Sequence, residues 1–257
     1  MVESKPLVVV TGITGFLGSH TALQFLLDGG FRVRGTVRSL ANEDKLKPIK
    51  EHFGEHYENL ELVEADLLDD ESMQNALEGA TYVAHTASPF TIVKPNHEDD
   101  LIRPAVDGTL SVMKGCQKHG VKRVVITSSV AAVNHRAEPL THITHNDWSE
   151  TDWRGEDAYC KSKTLAERSA WDFVEKLPEG EKFELATVNP VLITGPAICK
   201  SGFSSEEIIN MVYLGKLPLV DMEFMCVDVR DTAKAHVQAI KVEEAAGKRF
   251  LLIEGAY

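Results

Sequence analysis

The stretch Leu7-Val8-Val9-Val10-Thr11-Gly12-Ile13-Thr14-Gly15-Phe16-Leu17-Gly18 decides the reading of this chain. An apolar run breaks into glycines separated by two residues each and then enters a helical pattern. That order means a buried strand, a tight turn and a helix N-terminus. The first glycine permits a turn that a side chain would block. The second lets backbone approach a phosphate, and the third lets the helix pack on the strand. The N–H groups and dipole of such a helix start favour a pyrophosphate. A glycine triplet also arises in purely structural turns, so its neighbours must carry the rest.

Phe31-Arg32-Val33-Arg34-Gly35-Thr36-Val37-Arg38 reads as the next strand. It brings Thr36 and Arg38 to the place, about twenty residues past the glycines, where NAD enzymes keep an acid for the ribose 2′-hydroxyl. Here Arg38 offers a planar cation to a 2′-phosphate instead, with Lys45 as a second charge, and this points to NADP(H). The competing reading is an arginine that ends a strand in solvent. Further on, Tyr159-Cys160-Lys161-Ser162-Lys163 lies in a segment whose Ala158, Leu165, Ala166, Ala170 and Trp171 read as a helix. Positions four apart share a face, which puts Lys163 one turn from Tyr159. A phenol titrates near pH ~10, so acid–base work at neutral pH needs a nearby cation, and Lys163 is expected to lower the Tyr159 pKa. Val124-Val125-Ile126-Thr127-Ser128-Ser129 reads as a buried strand ending in hydroxyls at the carboxyl edge, where open α/β sheets place ligands. Ser129 is the candidate donor to a substrate carbonyl, with a one-residue ambiguity towards Ser128. Taken singly, these parts match surface pairs and turn caps; their shared order is what carries information.

In that order, Thr-Gly-x-x-Gly-x-x-Gly, Ser129, Tyr159 and Lys163, the chain resembles the extended branch of the short-chain dehydrogenase/reductase superfamily, from about Leu7 to its C-terminus. More narrowly it is similar to the dihydroflavonol 4-reductase and cinnamoyl-CoA reductase group, and within it to methylglyoxal or isovaleraldehyde reductase-type enzymes. His85-Thr86-Ala87-Ser88-Pro89-Phe90, Thr127-Ser128-Ser129-Val130-Ala131-Ala132-Val133, Ala158-Tyr159-Cys160, Val188-Asn189-Pro190-Val191 and Val227-Asp228-Val229-Arg230-Asp231 carry that likeness. The resemblance implies that Gly12, Gly15 and Gly18, with Phe16 and Leu17, cradle the pyrophosphate, and that Arg38 and Lys45 hold the 2′-phosphate. It places Asp66 and Leu67 beside the adenine, Thr86 and Ala87 along the cofactor, and Pro190 and Val191 at the nicotinamide carboxamide. Tyr159 and Lys163 become partners of the nicotinamide ribose as well as catalytic groups. Ser129, matched through Val133, completes the catalytic set. Substrate contacts are expected from Phe90, Ile92, Asn134, His135, Tyr213 and residues 217–225, all of which have ordinary core or loop readings too.

The wider sequence agrees. Strands are expected at 7–11, 32–37, 60–64, 82–85, 123–127 and 183–188, and helices at 16–28, 44–53, 70–77, 99–118, 157–176, 205–214 and 230–242. Such alternation means a Rossmann-like α/β fold, a doubly wound parallel sheet with helices on both faces. Pro104 predicts a kink or a late start in the fourth helix. Residues 1–194 are read as the NADP-binding domain and 195–257 as a small substrate lobe partly packing back on it. Family members continue several dozen residues past the segment Arg249-Phe250-Leu251-Leu252-Ile253, so the lobe is expected to be truncated, the sequence being a fragment or the pocket cut down. The chain has 257 residues, 43% of them hydrophobic, enough for a sizeable core. No apolar run approaches a membrane span. Cys116, Cys160, Cys199 and Cys226 lack metal-type spacing and read as reduced thiols of a cytoplasmic protein. A net charge of −12 disfavours nucleic acid and anionic membranes as partners. His142 and His145 with Asp147 have no second cluster to complete a ligand set, so no metal is expected.

The expected activity is reduction of an aldehyde or ketone by NADPH, with Tyr159 as proton donor, Ser129 as second donor and Lys163 as electrostatic partner, in a monomer or homodimer. Two alternatives share these motifs. A nucleotide-sugar epimerase or dehydratase would use the same Tyr159 and Lys163 but retain NAD tightly, which Arg38 opposes. A non-catalytic NADP-binding regulatory protein would bind the cofactor without turning over any carbonyl.

Overall fold

The computed structural model describes residues 5–88, 96–152, 157–199, 204–216 and 225–256. Strand β1 (Leu7–Thr11) is buried along its whole length, as a strand covered on both faces must be. It leads into α1 (Phe16–Asp28), β2 (Arg32–Val37), α2 (Glu43–Phe53), β3 (Leu60–Glu64), α3 (Asp70–Ala76), β4 (Tyr82–His85), α4 (Asp99–His119) and β5 (Arg123–Thr127). There follow α5 (Ala158–Lys176), β6 (Glu184–Pro190), β7 (Leu192–Thr194), α6 (Ser204–Tyr213), β8 (Met225–Asp228), α7 (Val229–Lys241), β9 (Arg249–Leu252) and β10 (Gly255–Ala256).

Seven strands form one sheet in the order β3-β2-β1-β4-β5-β6-β9, and every pairing in it is parallel. Alternate residues of β1 face opposite layers. Val8 and Val10 join a core with Phe25 of α1, Ile49 of α2 and Ile240 of α7. Leu7 and Val9 join another with Met73 of α3, Met113 of α4 and Ala170 of α5. This is the doubly wound arrangement. Because the sheet grows from β1 towards β2 on one side and towards β4 on the other, a crevice opens between their carboxyl ends.

Helix α4 begins at Asp99, ahead of Pro104, and continues through it, so the late start expected from the proline does not occur. The missing hydrogen bond and ring clash cost about 3 kcal/mol. Burial of Leu101, Ile102, Ala105, Val112, Met113 and Cys116 along the same helix outweighs that. The chain after Gly195 divides between two sheets. Helix α7 packs in the layer of α1, and β9 closes the main sheet by pairing Thr187 with Arg249 and Pro190 with Leu252. Strands β7, β8 and β10 form a separate three-stranded sheet, with β7 and β8 parallel and β10 antiparallel to β8.

Candidate active site

The glycine turn lies at the carboxyl end of β1. Gly12 has φ +69°, a conformation that favours glycine, and a Cβ there would fall 2.8 Å from Ala87 Cβ. At Gly18 a Cβ would fall 2.3 Å from the Gly12 carbonyl oxygen. Gly15 stands at the N-cap of α1 with no side-chain cap, so Phe16 and Leu17 open a helix whose positive end faces the crevice. The Gly12 N–H donates to Thr36 Oγ1 at 3.0 Å, and Gly15 N–H to the Gly12 carbonyl at 2.9 Å. Thr36 is therefore spent on holding the turn. Arg38, one residue past β2, is exposed and makes no hydrogen bond or ion pair among the described residues. Lys45 is exposed on the first turn of α2 near Cys199, whose thiol is pushed up by burial, with the Lys45 charge only opposing that rise. Cys199 in turn contacts Ser19 of α1. An uncapped helix start, a cradle that any Cβ would fill and a guanidinium without a partner fit a dinucleotide with a 2′-phosphate.

On the other side of the crevice, Thr11 ties β1 to β4. Its Oγ1 accepts the N–H groups of Thr86 and Ala87, both at 3.1 Å, and its carbonyl accepts the Thr86 hydroxyl at 2.6 Å. With both lone pairs engaged, Thr11 Oγ1 donates its proton to His85 Nδ1 at 2.8 Å, which leaves the ring neutral with its proton on Nε2. Burial, helped by the Lys163 charge, pushes the His85 pKa down to about 3.

The expected catalytic residues converge at the ends of β5 and α5. Asp157 caps α5 by accepting the N–H groups of Tyr159 and Cys160. The Tyr159 hydroxyl lies within reach of Ser129. Ser129 Oγ also accepts the Ala131 N–H at 3.1 Å. Ser128 points elsewhere: its hydroxyl donates to Glu167 Oε2 at 2.5 Å in the core. The adjacent serines are thus told apart by their partners. Lys163 Nζ lies 5.9 Å from the Tyr159 ring centroid and donates to Ser88 Oγ at 2.9 Å.

The electrostatics differ from the expectation that Lys163 lowers the phenol pKa. Burial raises the Tyr159 pKa above its ordinary value, and the nearby Ser129 side chain is what opposes the rise. Burial also brings Lys163 down to about 8. The reason is common to both: a site largely removed from water penalises phenolate and ammonium alike.

The remaining predicted residues scatter. Asp66 Oδ1 accepts the Leu68 N–H at 2.9 Å and shapes the turn after β3, while Leu67 packs against α4 at Gly108. Pro190 is buried at the end of β6, and the Val191 N–H reaches the Leu252 carbonyl at 3.1 Å. Asn134 is half-buried, and its N–H bonds the Val130 carbonyl. His135 Nε2 accepts the Asp157 N–H at 3.2 Å, which fastens the entry to α5. Tyr213 ends α6 and is 86% exposed. Phe90, Ile92 and residues 217–224 lie outside the described residues. Sequence reasoning passed over Glu167 and Arg249, whose buried ion pair at 2.6 Å stands behind the serines. The available signal was a carboxylate one turn past Lys163 on the face that α5 buries.

Residues 9–249 match the 3-beta hydroxysteroid dehydrogenase/isomerase family. The NADPH-dependent methylglyoxal reductase GRE2 of Saccharomyces cerevisiae is 34% identical over 274 residues, covering 97% of this chain and 78% of that protein. Cinnamoyl-CoA reductase 2 of Arabidopsis thaliana is 35% identical over 262 residues, covering 100% of this chain and 75% of that protein. Among solved structures, yeast methylglyoxal/isovaleraldehyde reductase Gre2 complexed with NADPH is similar with a TM-score of 0.82 at 31% identity, over 97% of this chain and 78% of that one.

Proposed function

The chain belongs to the 3-beta hydroxysteroid dehydrogenase/isomerase family, and from that premise we propose that it is an NADPH-dependent reductase converting an aldehyde or ketone to an alcohol. The observation that carries this reading is the convergence of Ser129 and Tyr159 at the carboxyl edge of the sheet, with the Lys163 amine beside them. NADPH, when bound, supplies the hydride that reaches the carbonyl carbon. The glycine turn at Gly12, Gly15 and Gly18, with Phe16 and Leu17, would hold its pyrophosphate, and Arg38 with Lys45 its 2′-phosphate. Asp66 and Leu67 would border the adenine, Thr86 and Ala87 the middle of the cofactor, and Pro190 and Val191 the nicotinamide end. Similarity to reductases named for NADPH supports this assignment.

Ser129 and Tyr159 would hold the carbonyl oxygen between two donors already in place, so negative charge developing there meets fixed dipoles. Tyr159 gives its proton to that oxygen. A phenol pKa raised by burial suits the role, because the acid form is then the one present at neutral pH. As the phenolate forms, Lys163 gains an opposite charge nearby and is held more firmly in its protonated state, which stabilises the product side of the transfer. Asn134, His135, Phe90 and Tyr213 are the proposed substrate contacts, with residues 195–257 contributing the substrate lobe and 1–194 the cofactor domain.

Small aldehydes, diketones and aryl ketones are the substrate class to screen by NADPH oxidation. Turnover of one or more of them, by protein purified without bound NAD+, supports the reading. Tightly held NAD+ would favour a sugar-nucleotide epimerase, and tight NADPH binding without turnover a regulatory protein. Four free thiols suit a cytoplasmic location, with a monomer or homodimer as the expected assembly.

A further inference from the structure

Behind the serines lies a polar cluster that the proposed proton transfer does not touch. Its centre is Glu167, on α5 two turns past Tyr159 and 1% exposed. The carboxylate accepts hydrogen bonds from Ser128 Oγ at 2.5 Å, Asn189 Nδ2 at 2.8 Å, Arg249 Nε at 2.6 Å and Thr187 Oγ1 at 3.1 Å. A buried ion pair is a weak source of stability, since desolvation offsets attraction, but one whose lone pairs are all engaged fixes geometry closely. The geometry fixed here is that of Ser129. Ser128, tied by its hydroxyl, precedes it directly, and Asn189 Nδ2 bonds both Glu167 and the Ser129 carbonyl, the latter at 3.2 Å. The Ser129 backbone is therefore held from both sides by a group on the same helix that carries Tyr159.

We propose that Glu167 is a positioning residue which, through Ser128 and Asn189, sets the Ser129 hydroxyl against that of Tyr159. The inference rests on the reductase reading above. Its test compares wild type, Glu167→Gln, Ser129→Ala and the double variant as full chains in two readouts. One is kcat for NADPH oxidation at saturating carbonyl, with Kd for NADPH alongside. The other is ionisation of Tyr159, followed as tyrosinate absorbance against the matching Tyr159→Phe background, which needs no substrate.

Glu167→Gln is expected to lower kcat on the order of tenfold while leaving Kd for NADPH within about threefold. In the Ser129→Ala background it should cost less than about twofold more, because residues acting through one another are not additive. Displacing the Ser129 hydroxyl from Tyr159 should raise the pH at which Tyr159 ionises, in Glu167→Gln as in Ser129→Ala. Glu167→Asp keeps the charge beside Arg249, and with it the fold, and should move both readouts the same way by less. An equal kcat loss with and without Ser129, or an unmoved Tyr159 ionisation in folded Glu167→Asp, overturns the role. If wild type oxidises NADPH with none of the carbonyls screened, the reductase reading fails alone, and the Tyr159 titration still decides for or against Glu167.

Discussion

Replacing Ser129 and Ser128 by alanine, one at a time, separates the hydroxyl proposed to do chemistry from one that holds the core. Ser129→Ala removes the donor that faces Tyr159. At well-formed oxyanion sites such a loss costs about 2.7–4 kcal/mol in the transition state, or roughly 10²–10³ in kcat. The same change leaves the Ala131 N–H without its acceptor, at the start of a short turn, a stability cost on the order of 1 kcal/mol. Ser128→Ala reverses the balance. Its hydroxyl is a buried donor to an ionised carboxylate at 2.5 Å, and bonds of that kind are worth about 1.5–3 kcal/mol. For a chain of this size each kcal/mol moves Tm by about 2–4 °C, so a fall of about 3–12 °C is expected. Glu167 keeps Asn189 and Arg249, and Asn189 keeps the Ser129 carbonyl, so kcat should fall by less than about fivefold. NADPH oxidation at saturating substrate gives kcat, and scanning calorimetry of the same preparations gives Tm. A larger kcat loss at Ser128 than at Ser129 would refute the assignment of the two hydroxyls and the contacts inferred from it.

Three further outcomes are expected. Tyr159→Phe keeps the ring and deletes the proton, so turnover should fall at least ~10²-fold with NADPH affinity little changed; near wild-type turnover would make Tyr159 structural. Arg38→Ala should weaken NADPH binding by roughly ten- to a hundredfold and NADH binding far less, and equal losses in calorimetry would remove Arg38 from the 2′-phosphate site. Lys163 has a folded pKa of about 8, below its unfolded value of about 10.4, so the unfolded chain takes up that proton first as pH falls. In cofactor-free protein, the Tm advantage of Lys163→Met over wild type should thus be fully present below pH 8 and shrink as pH rises towards about 10.4; a pH-independent difference would contradict a buried, depressed lysine.

Much of the molecule was legible before any tertiary structure. The alternation of apolar runs with helical periodicity located β1 to β6 and α1 to α7 to within a residue or two, because strands covered on both faces and helices covered on one leave different local patterns. The glycine spacing marked the turn after β1, since only backbone without a Cβ fits against Ala87 and the Gly12 carbonyl. The spacing of Tyr159 and Lys163 put them on one helix face. Strands β7, β8, β9 and β10 were missed: strands of two to four residues without a periodic signal are made by their pairing, β9 with β6 and β8 with β7 and β10.

What the chain determined by itself was therefore whatever depends on local periodicity and on steric limits of single residues: the doubly wound alternation, the glycine turn after β1 and the placing of Tyr159 and Lys163 on one helix face. What only the tertiary structure decided depends on groups distant in sequence meeting in a low-dielectric interior. Which of two adjacent serines faces Tyr159 follows from Glu167 claiming the other, and Glu167 is held there by Arg249 from the last strand of the sheet. The direction of the Tyr159 shift likewise came from burial, which no spacing along the chain encodes, since desolvation is set by everything packed around a group and not by its nearest neighbours in sequence.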